Sequence, residues 1–375
     1  MFKTMVVAVV ALAGLAFLIG PAIAADEARR PRIQIAVLLD TSNSMDGLID
    51  QAKSQLWKIV NEFGRARQRG QRPELQVALF EYGKSSLPAS SGYIRLVSQF
   101  TTDLDRISEE LFALKTNGGE EFCGWVIKDA VERLEWSTAS DTYKAIFIAG
   151  NEPFTQGRVP YAESCRAAIA KGIMVNTIFC GAREEGINTR WDDGAALADG
   201  RFMSIDQNKA IAHIEAPQDK EIARLSAELN KTYVAYGRGG RSSAMRQQEQ
   251  DRNAVLLAPQ GAEVQRALTK ASASYRNDSW DLVDAVQKDA SKLNELKKED
   301  LPVEMQTLNE PERRAFVESK AKERAELQAK INALNTERSK YLAAQSKSAS
   351  ANDTLDAVVV TAVREQAVKR NYTFE

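Results

Sequence analysis

Asp40, Ser42 and Ser44 are the side chains of this sequence best placed to do chemistry. They stand at Asp-x-Ser-x-Ser spacing directly after the apolar run Ile33-Gln34-Ile35-Ala36-Val37-Leu38-Leu39. A run of that kind reads as a parallel strand buried on both faces. The carboxyl end of such a strand is where open α/β sheets place their ligands. One carboxylate and two hydroxyls make a cluster of hard oxygen donors, which suits a magnesium-like ion. The other candidates are weaker. His213 is the only histidine, so any Ser-His or Cys-His mechanism must use it. It lies among Ile211, Ala212 and Ile214 and reads as a structural or surface residue. Cys123, Cys165 and Cys180 have no histidine in their loops to activate them, and their long, irregular spacings do not suit a thiolate metal site. Residues 237–243 are rich in glycine but lack the Gly-Lys-Ser/Thr ending of a phosphate loop.

The elements that must position the cluster alternate. Strands are expected at 33–39, 75–79, 93–97, 144–149, 173–180 and 202–205, with a last edge strand at 232–236. Leu48, Ala52, Leu56, Val60 and Phe63 recur at helical spacing, so a helix follows the Asp-x-Ser-x-Ser loop. Further helices are expected at 102–114, 122–134, 161–171, 191–198 and 219–230. Strands alternating with helices imply a doubly wound, mostly parallel sheet with right-handed crossovers. Beyond the hinge at 237–243 strand signals fade, and the chain becomes rich in Ala, Gln, Glu, Lys and Arg. Asn309-Glu310-Pro311-Glu312 reads as a helix start, with Asn as cap, Pro in the first turn and Glu three residues on. That helix is expected to run to about residue 345, with Leu327, Ile331, Leu334 and Tyr341 in a stripe at nearly heptad spacing, read chiefly as a seam within the chain. A last amphipathic helix is expected at 354–369.

The first loop, with the strand before it and the helix after it, resembles the metal-ion-dependent adhesion site of von Willebrand factor type A domains, and of the bacterial exported type in particular. The resemblance covers about residues 33–237. It implies an α/β fold in which three loops meet above the sheet. The second loop of the family reads Gly-Gly-Thr; here Gly118-Gly119-Glu120-Glu121 puts Glu120 at the threonine. The third loop reads Thr-Asp-Gly; here Ala149-Gly150-Asn151-Glu152 puts Gly150 at the aspartate. The expected ligand set is therefore Asp40, Ser42 and Ser44, with Glu120 foremost and Glu121 or Glu152 as substitutes from the same loops. The implied ion is Mg2+, or Ca2+ or Mn2+, completed by a partner's carboxylate. The opposing expectation is a fossil site in which Ser42 and Ser44 only cap the next helix.

Formal net charge is −1 over 375 residues, which calls for neither nucleic acid nor an anionic membrane surface as partner. Residues 1–24 read as a signal peptide: Lys3, an apolar run over 5–19, and the Ala22-Ile23-Ala24 cleavage site. Export favours one disulfide, expected between Cys165 and Cys180, with Cys123–Cys165 as the alternative. The expected organisation is a von Willebrand type A domain at 33–240, a helical and partly coiled-coil region at 245–345, and a C-terminal helix and tail at 353–375. The expected function is a non-enzymatic protein-binding module of the periplasm or outside the cell, in a metal-assisted adhesion or scaffold role, with oligomerisation through the C-terminal helices. The alternative is a structural envelope protein with a non-functional metal site, whose C-terminal helices bind the partner.

Overall fold

The computed structural model describes residues 30–205, 214–258, 261–346 and 355–374. The signal segment and His213 lie outside them. In chain order the elements are β1 (Arg32–Asp40), α1 (Asp46–Gly64), β2 (Ala66–Gln68), β3 (Glu74–Tyr82), β4 (Ile94–Thr101), α2 (Leu104–Ala113), α3 (Cys123–Arg133), β5 (Tyr143–Gly150), α4 (Tyr161–Ala170), β6 (Met174–Cys180), α5 (Arg183–Asn188), α6 (Trp191–Ala196) and β7 (Phe202–Ile205). There follow α7 (Asp219–Asn230), α8 (Gly240–Leu256), α9 (Ala262–Lys270), α10 (Leu282–Lys288), α11 (Lys292–Glu295), α12 (Glu310–Ser346), α13 (Leu355–Val368) and β8 (Tyr372–Phe374).

The main sheet has the order β4-β3-β1-β5-β6-β7. Only β4 is antiparallel; β1 pairs in parallel with β3 on one side and β5 on the other. Because side chains alternate along a strand, each strand feeds two cores. Ile33, Ile35 and Leu39 of β1 join Leu75, Val77, Tyr143 and Phe147 on one face, under Trp57, Val60 and Phe63 of α1 and Ile107 and Leu111 of α2. Ala36 and Leu38 join Phe80, Tyr82, Ile146 and Ile148 on the other, under Val126, Ile127 and Ala130 of α3 and Ala168 of α4.

That alternation corrects the expected disulfide. Cys123, Cys165 and Cys180 are all buried free thiols. Cys180 has the parity of Ile178 and points into the α1 face, whereas Cys165 packs with Phe179 on the α4 face. The sheet itself separates them, and Cys123 and Cys165, which share a face, are not bonded either.

Residues 232–236, expected as an edge strand, do not join the sheet, whose edge is β7. They run beside α10 instead, with a single bridge from Ala235 to Asp281. The start of α12 forms as read: Asn309 Oδ1 accepts from Glu312 N at 3.0 Å, and Glu312 Oε2 accepts from Asn309 N at 2.8 Å. Its stripe packs inside the chain, with Ile331 fully buried and Leu327 and Leu334 beside it, against Ile222, Leu225 and Leu229 of α7 and Val264 and Ala267 of α9. The stripe thus closes on two shorter helices of the same chain, not on a long partner helix.

The C-terminal helices are fastened by buried arginines. Arg266 of α9 pairs with Asp105 of α2 at 2.8 Å and Asp251 of α8 at 2.5 Å, and its guanidinium lies 4.9 Å from the Trp57 ring. Arg324 of α12 pairs with Asp281 and Asp284 at 2.7 and 2.9 Å, and Arg338 with Asp219 at 2.6 Å. Pairs of this kind add little net stability, but removing one partner leaves a buried charge uncompensated. From Pro31 onward the chain forms one unit.

α13 completes the α1 face with Ala362, Val363 and Ala367. Its Gln366 accepts from the Tyr143 hydroxyl at 2.9 Å and donates to Asn176 Oδ1 at 2.7 Å, across β5 and β6. β8 then pairs antiparallel with β2, and the Tyr372 hydroxyl donates to the Arg32 carbonyl at 2.9 Å.

Two measurements follow. Gln366→Ala strands buried polar groups on β5 and β6, at a cost of about 2 kcal/mol, and the thermal midpoint should fall by roughly 3 °C. An unchanged midpoint would show that α13 is not docked there. Thiol titration of protein unfolded without reductant should find all three cysteines free, whereas a single free thiol would restore the bridge.

Candidate functional site

Asp40 is the last residue of β1, fully buried, and its Oδ1 accepts from the backbone N–H of Ser42 at 2.7 Å. That bond turns the chain out of the strand into the short 3-10 turn Asn43–Met45, from which α1 starts. Ser42 stands at the N-cap of this turn, yet its side chain makes no capping bond. Its hydroxyl is within hydrogen-bonding reach of two carboxyls, those of Asp40 and Glu121. The capping role set against metal binding is therefore not the one Ser42 performs. Ser44 lies in the turn, and its side chain falls outside the described residues.

The second loop is drawn in by backbone bonds. Asn117 N donates to the Thr41 carbonyl at 2.9 Å and Ser85 N to the Gly118 carbonyl at 2.5 Å. The acid this brings to Asp40 is Glu121. Its neighbour Glu120, the foremost expectation, is exposed, one residue short of the inward-facing position. Glu121 is 4% exposed, and its N–H donates to Gln156 Oε1 at 3.3 Å. Glu152 stands nearby and half-buried; its carboxylate accepts from Gln156 Nε2 at 3.2 Å and its carbonyl from Trp191 Nε1 at 2.9 Å.

The third-loop acid of the family has no room here. A Cβ on Gly150 would lie 2.5 Å from the Tyr82 hydroxyl and 3.2 Å from the Trp191 ring. Tyr82 occupies that space, its hydroxyl donating to the Ala149 carbonyl at 2.9 Å. On the other side Gly83, at φ +80°, lets the chain pass the acids; a Cβ there would meet Glu121 Cγ at 2.6 Å and Asp40 Oδ1 at 2.7 Å. Sequence reasoning did not single out Tyr82 and Gly83. The available signal was their place at the end of the strand beside β1, where an aromatic hydroxyl and a glycine break an apolar run.

Among the described residues the site is an acid pair without a counter-charge. Burial, and secondarily the charge of Glu152, pushes Asp40 up to about 7 against the bonds from Ser42. Burial, then the charge of Asp40, pushes Glu121 up to about 8. The two carboxyls are close enough to share a proton. When both are ionised, Asp40 Oδ2 and Glu121 Oε2 are buried acceptors with no donor. Hard, orphaned oxygens of this kind fit a divalent cation, with Asp40 and Glu121 as charged ligands and Ser42 as a neutral one. Glu152 adds its field to the pair, and among the described residues no three His, Cys, Asp or Glu side chains are grouped to hold an ion. The cysteines stay outside this chemistry, because burial raises Cys123 and Cys180 well above the ordinary thiol range and Cys165 to about 12.

With this geometry in place, the comparisons with known proteins concern the fold alone. No family model and no curated protein matches the chain. Among solved structures it is similar to the conserved hypothetical protein BatB from Bacteroides thetaiotaomicron, at 16% identity and a TM-score of 0.36 over 46% of this chain and 90% of that one. It is similar to the SpRpn10 VWA domain at 13% identity and a TM-score of 0.35, over 46% and 88%. It is also similar to the mussel byssus proximal thread matrix protein 1 with a zinc-occupied MIDAS motif, at 15% identity and a TM-score of 0.32, over 48% and 43%. The decisive observation is internal: a sheet of order β4-β3-β1-β5-β6-β7 with Asp-x-Ser-x-Ser leaving the carboxyl end of its central strand. The fold is of the von Willebrand factor type A kind. Here the second loop brings Glu121 to Asp40, and the third carries glycine at position 150.

The pH dependence follows from the raised acids. The folded chain keeps protons that the unfolded chain has lost, so stability falls as pH rises from about 4, where unfolded carboxyls titrate, to the folded values of about 7 and about 8. Without divalent metal, the thermal midpoint should be lower at about pH 8.5 than at about pH 6. Glu121→Gln should flatten that slope and raise the midpoint at the higher pH. An equal slope in wild type and variant would show that the pair is not coupled to folding.

Proposed function

We propose that the chain is a non-enzymatic protein-binding module, exported to the cell envelope, with an adhesion or scaffold role assisted by a divalent ion held by Asp40, Ser42 and Glu121. The observation that carries this reading is the apposition of two buried carboxylate oxygens without donors at the carboxyl end of the central strand. Asp40 is oriented by Ser42 N, and Glu121 by the backbone bonds of its loop, so both acids are in place before any ion arrives. The ion, when bound, supplies positive charge to a partner at the rim of the sheet; Mg2+, Ca2+ and Mn2+ all suit oxygen ligands. Ser44 and Glu152 border the site, and Glu120 stands at its exposed edge. Export rests on the signal-like residues 1–24, and no described helix is long and apolar enough to cross a membrane. The alternative, partner binding by the C-terminal helices, has less to work with, because the apolar stripe of α12 is already buried within the chain.

An ion that binds only the folded state adds about 2.7 kcal/mol at 100 times its dissociation constant. Millimolar Mg2+, Ca2+ or Mn2+ should therefore raise the thermal midpoint by a few degrees, at roughly 1–2 °C per kcal/mol. Asp40→Ala should abolish this response while leaving metal-free stability unchanged or higher, since it removes an uncompensated acid. Glu121→Ala should weaken the response, and Glu120→Ala should leave it intact. In pull-downs from envelope extract, capture of a partner should be lost with EDTA and with Asp40→Ala. No shift with any of the three ions would make the site a fossil.

A further inference from the structure

We infer that Arg158, beside the acid site, is a second anchor for the partner, and that the partner presents an acidic segment, with one carboxylate for the ion and another for the Arg158 guanidinium. The inference extends the ion-assisted function proposed above and rests on it for the first carboxylate; the contact at Arg158 needs no ion. Arg158 is exposed on the third loop, two residues beyond Gln156. The Gln156 carboxamide ties that loop to the acids: it accepts from Glu121 N and donates to the Glu152 carboxylate. Glu120, Glu121 and Glu152 all stand on these two loops. Arg158 forms an ion pair with none of them, nor with any other acid among the described residues. Its guanidinium carbon lies instead over the Trp125 ring, 4.3 Å from the centroid.

The position of Arg158 is built from both loops. Phe122 and Trp125 follow Glu121 directly into α3, half-buried, with ring planes 6° apart and centroids 6.3 Å apart. Tyr93 closes against Phe122 at 5.9 Å. Backbone lies on both rings: a Cβ on Gly157, at φ +87°, would come within 2.6 Å of Phe122, and one on Gly92, at φ +71°, within 2.6 Å of Trp125. Gly157 thus seats the third loop on Phe122, and the next residue lays its guanidinium on Trp125. Cation–π attraction holds a guanidinium on an indole face, while its fork of N–H donors stays open to a carboxylate. A cation fixed in this way loses less freedom on pairing than a free side chain does. With an ion held by Asp40 and Glu121, the rim carries two positive centres on adjoining loops, and the complementary partner surface is acidic.

The test is fluorescence polarisation of the full chain with fluorescein-labelled hexaglutamate, with hexaglutamine as control, in millimolar Mg2+ and in EDTA. Hexaglutamate should bind and hexaglutamine should not. Arg158→Gln should lower the affinity for hexaglutamate about fivefold and leave the metal-induced rise in thermal midpoint unchanged. Arg158→Lys should also lose affinity, because an ammonium has no planar fork. Trp125→Leu should cost affinity in the wild-type background and nothing further beside Arg158→Gln, since the ring acts through the guanidinium; losses that add would overturn its positioning role. Hexaglutamate affinity unchanged by Arg158→Gln, equal binding of hexaglutamine, or no binding of either peptide overturns the inference. EDTA and Asp40→Ala test the ion in the same titration. A loss with Arg158→Gln but not with EDTA or Asp40→Ala keeps the Arg158 anchor and removes the ion, and the reverse keeps the ion and overturns the anchor.

Discussion

The structure is organised by the confinement of β1. Both of its edges are hydrogen-bonded, to β3 and to β5, and both of its faces are covered by helices. A strand enclosed in this way has its carboxyl end as its remaining outlet, and the sequence puts Asp40 there. An acid at that place is expensive to ionise because it is buried. The surrounding loops answer the cost only in part: Ser42 N gives one strong donor, while Glu121, itself raised to about 8, brings a second acid where a cation would be more welcome. The site is thus held in tension by the same packing that makes the sheet stable.

The packing of the third loop belongs to the same logic. Tyr82 ends β3, next to β1, and its ring must lie on the α3 face with Phe80. Its hydroxyl then reaches the Ala149 carbonyl and fills the space above Gly150. The space by Gly150 is taken by Tyr82, and the buried acid beside Asp40 comes from the second loop as Glu121. The two buried acids are thereby drawn from β1 and the loop before α3.

Much of this was legible in the sequence, and the failures have physical causes. The apolar run into Asp-x-Ser-x-Ser located β1, its sheet and the turn, because a doubly buried strand leaves a strong signal. The choice between Glu120 and Glu121 was not legible: adjacent residues in a loop without periodicity differ only in direction, and backbone bonds from Asn117 and Ser85 set that direction. The missing disulfide was legible in principle. Cys180 alternates with Phe179, and strict parity along β6 puts it on the face away from α4. The fastening of the C-terminal helices was the least visible. Arg266, Arg324 and Arg338 lie in stretches whose composition reads as solvated surface, and partners as far as 161 residues away in sequence, such as Asp105 for Arg266, turn them inward.

The pairing of β8 with β2, with Tyr372 reaching back to Arg32, has a consequence for how the molecule is made. The first strand and the last one described are parts of one closure, 340 residues apart along the chain. A chain emerging from its amino end can pair β1 with β3 and β5 early, but the apolar surface around Tyr143 stays bare until the final helix arrives. Closure is therefore a late event that depends on a very long-range contact. A chain without α13 leaves that face of the sheet open, and an exposed apolar face of this kind is prone to aggregation until its helix docks.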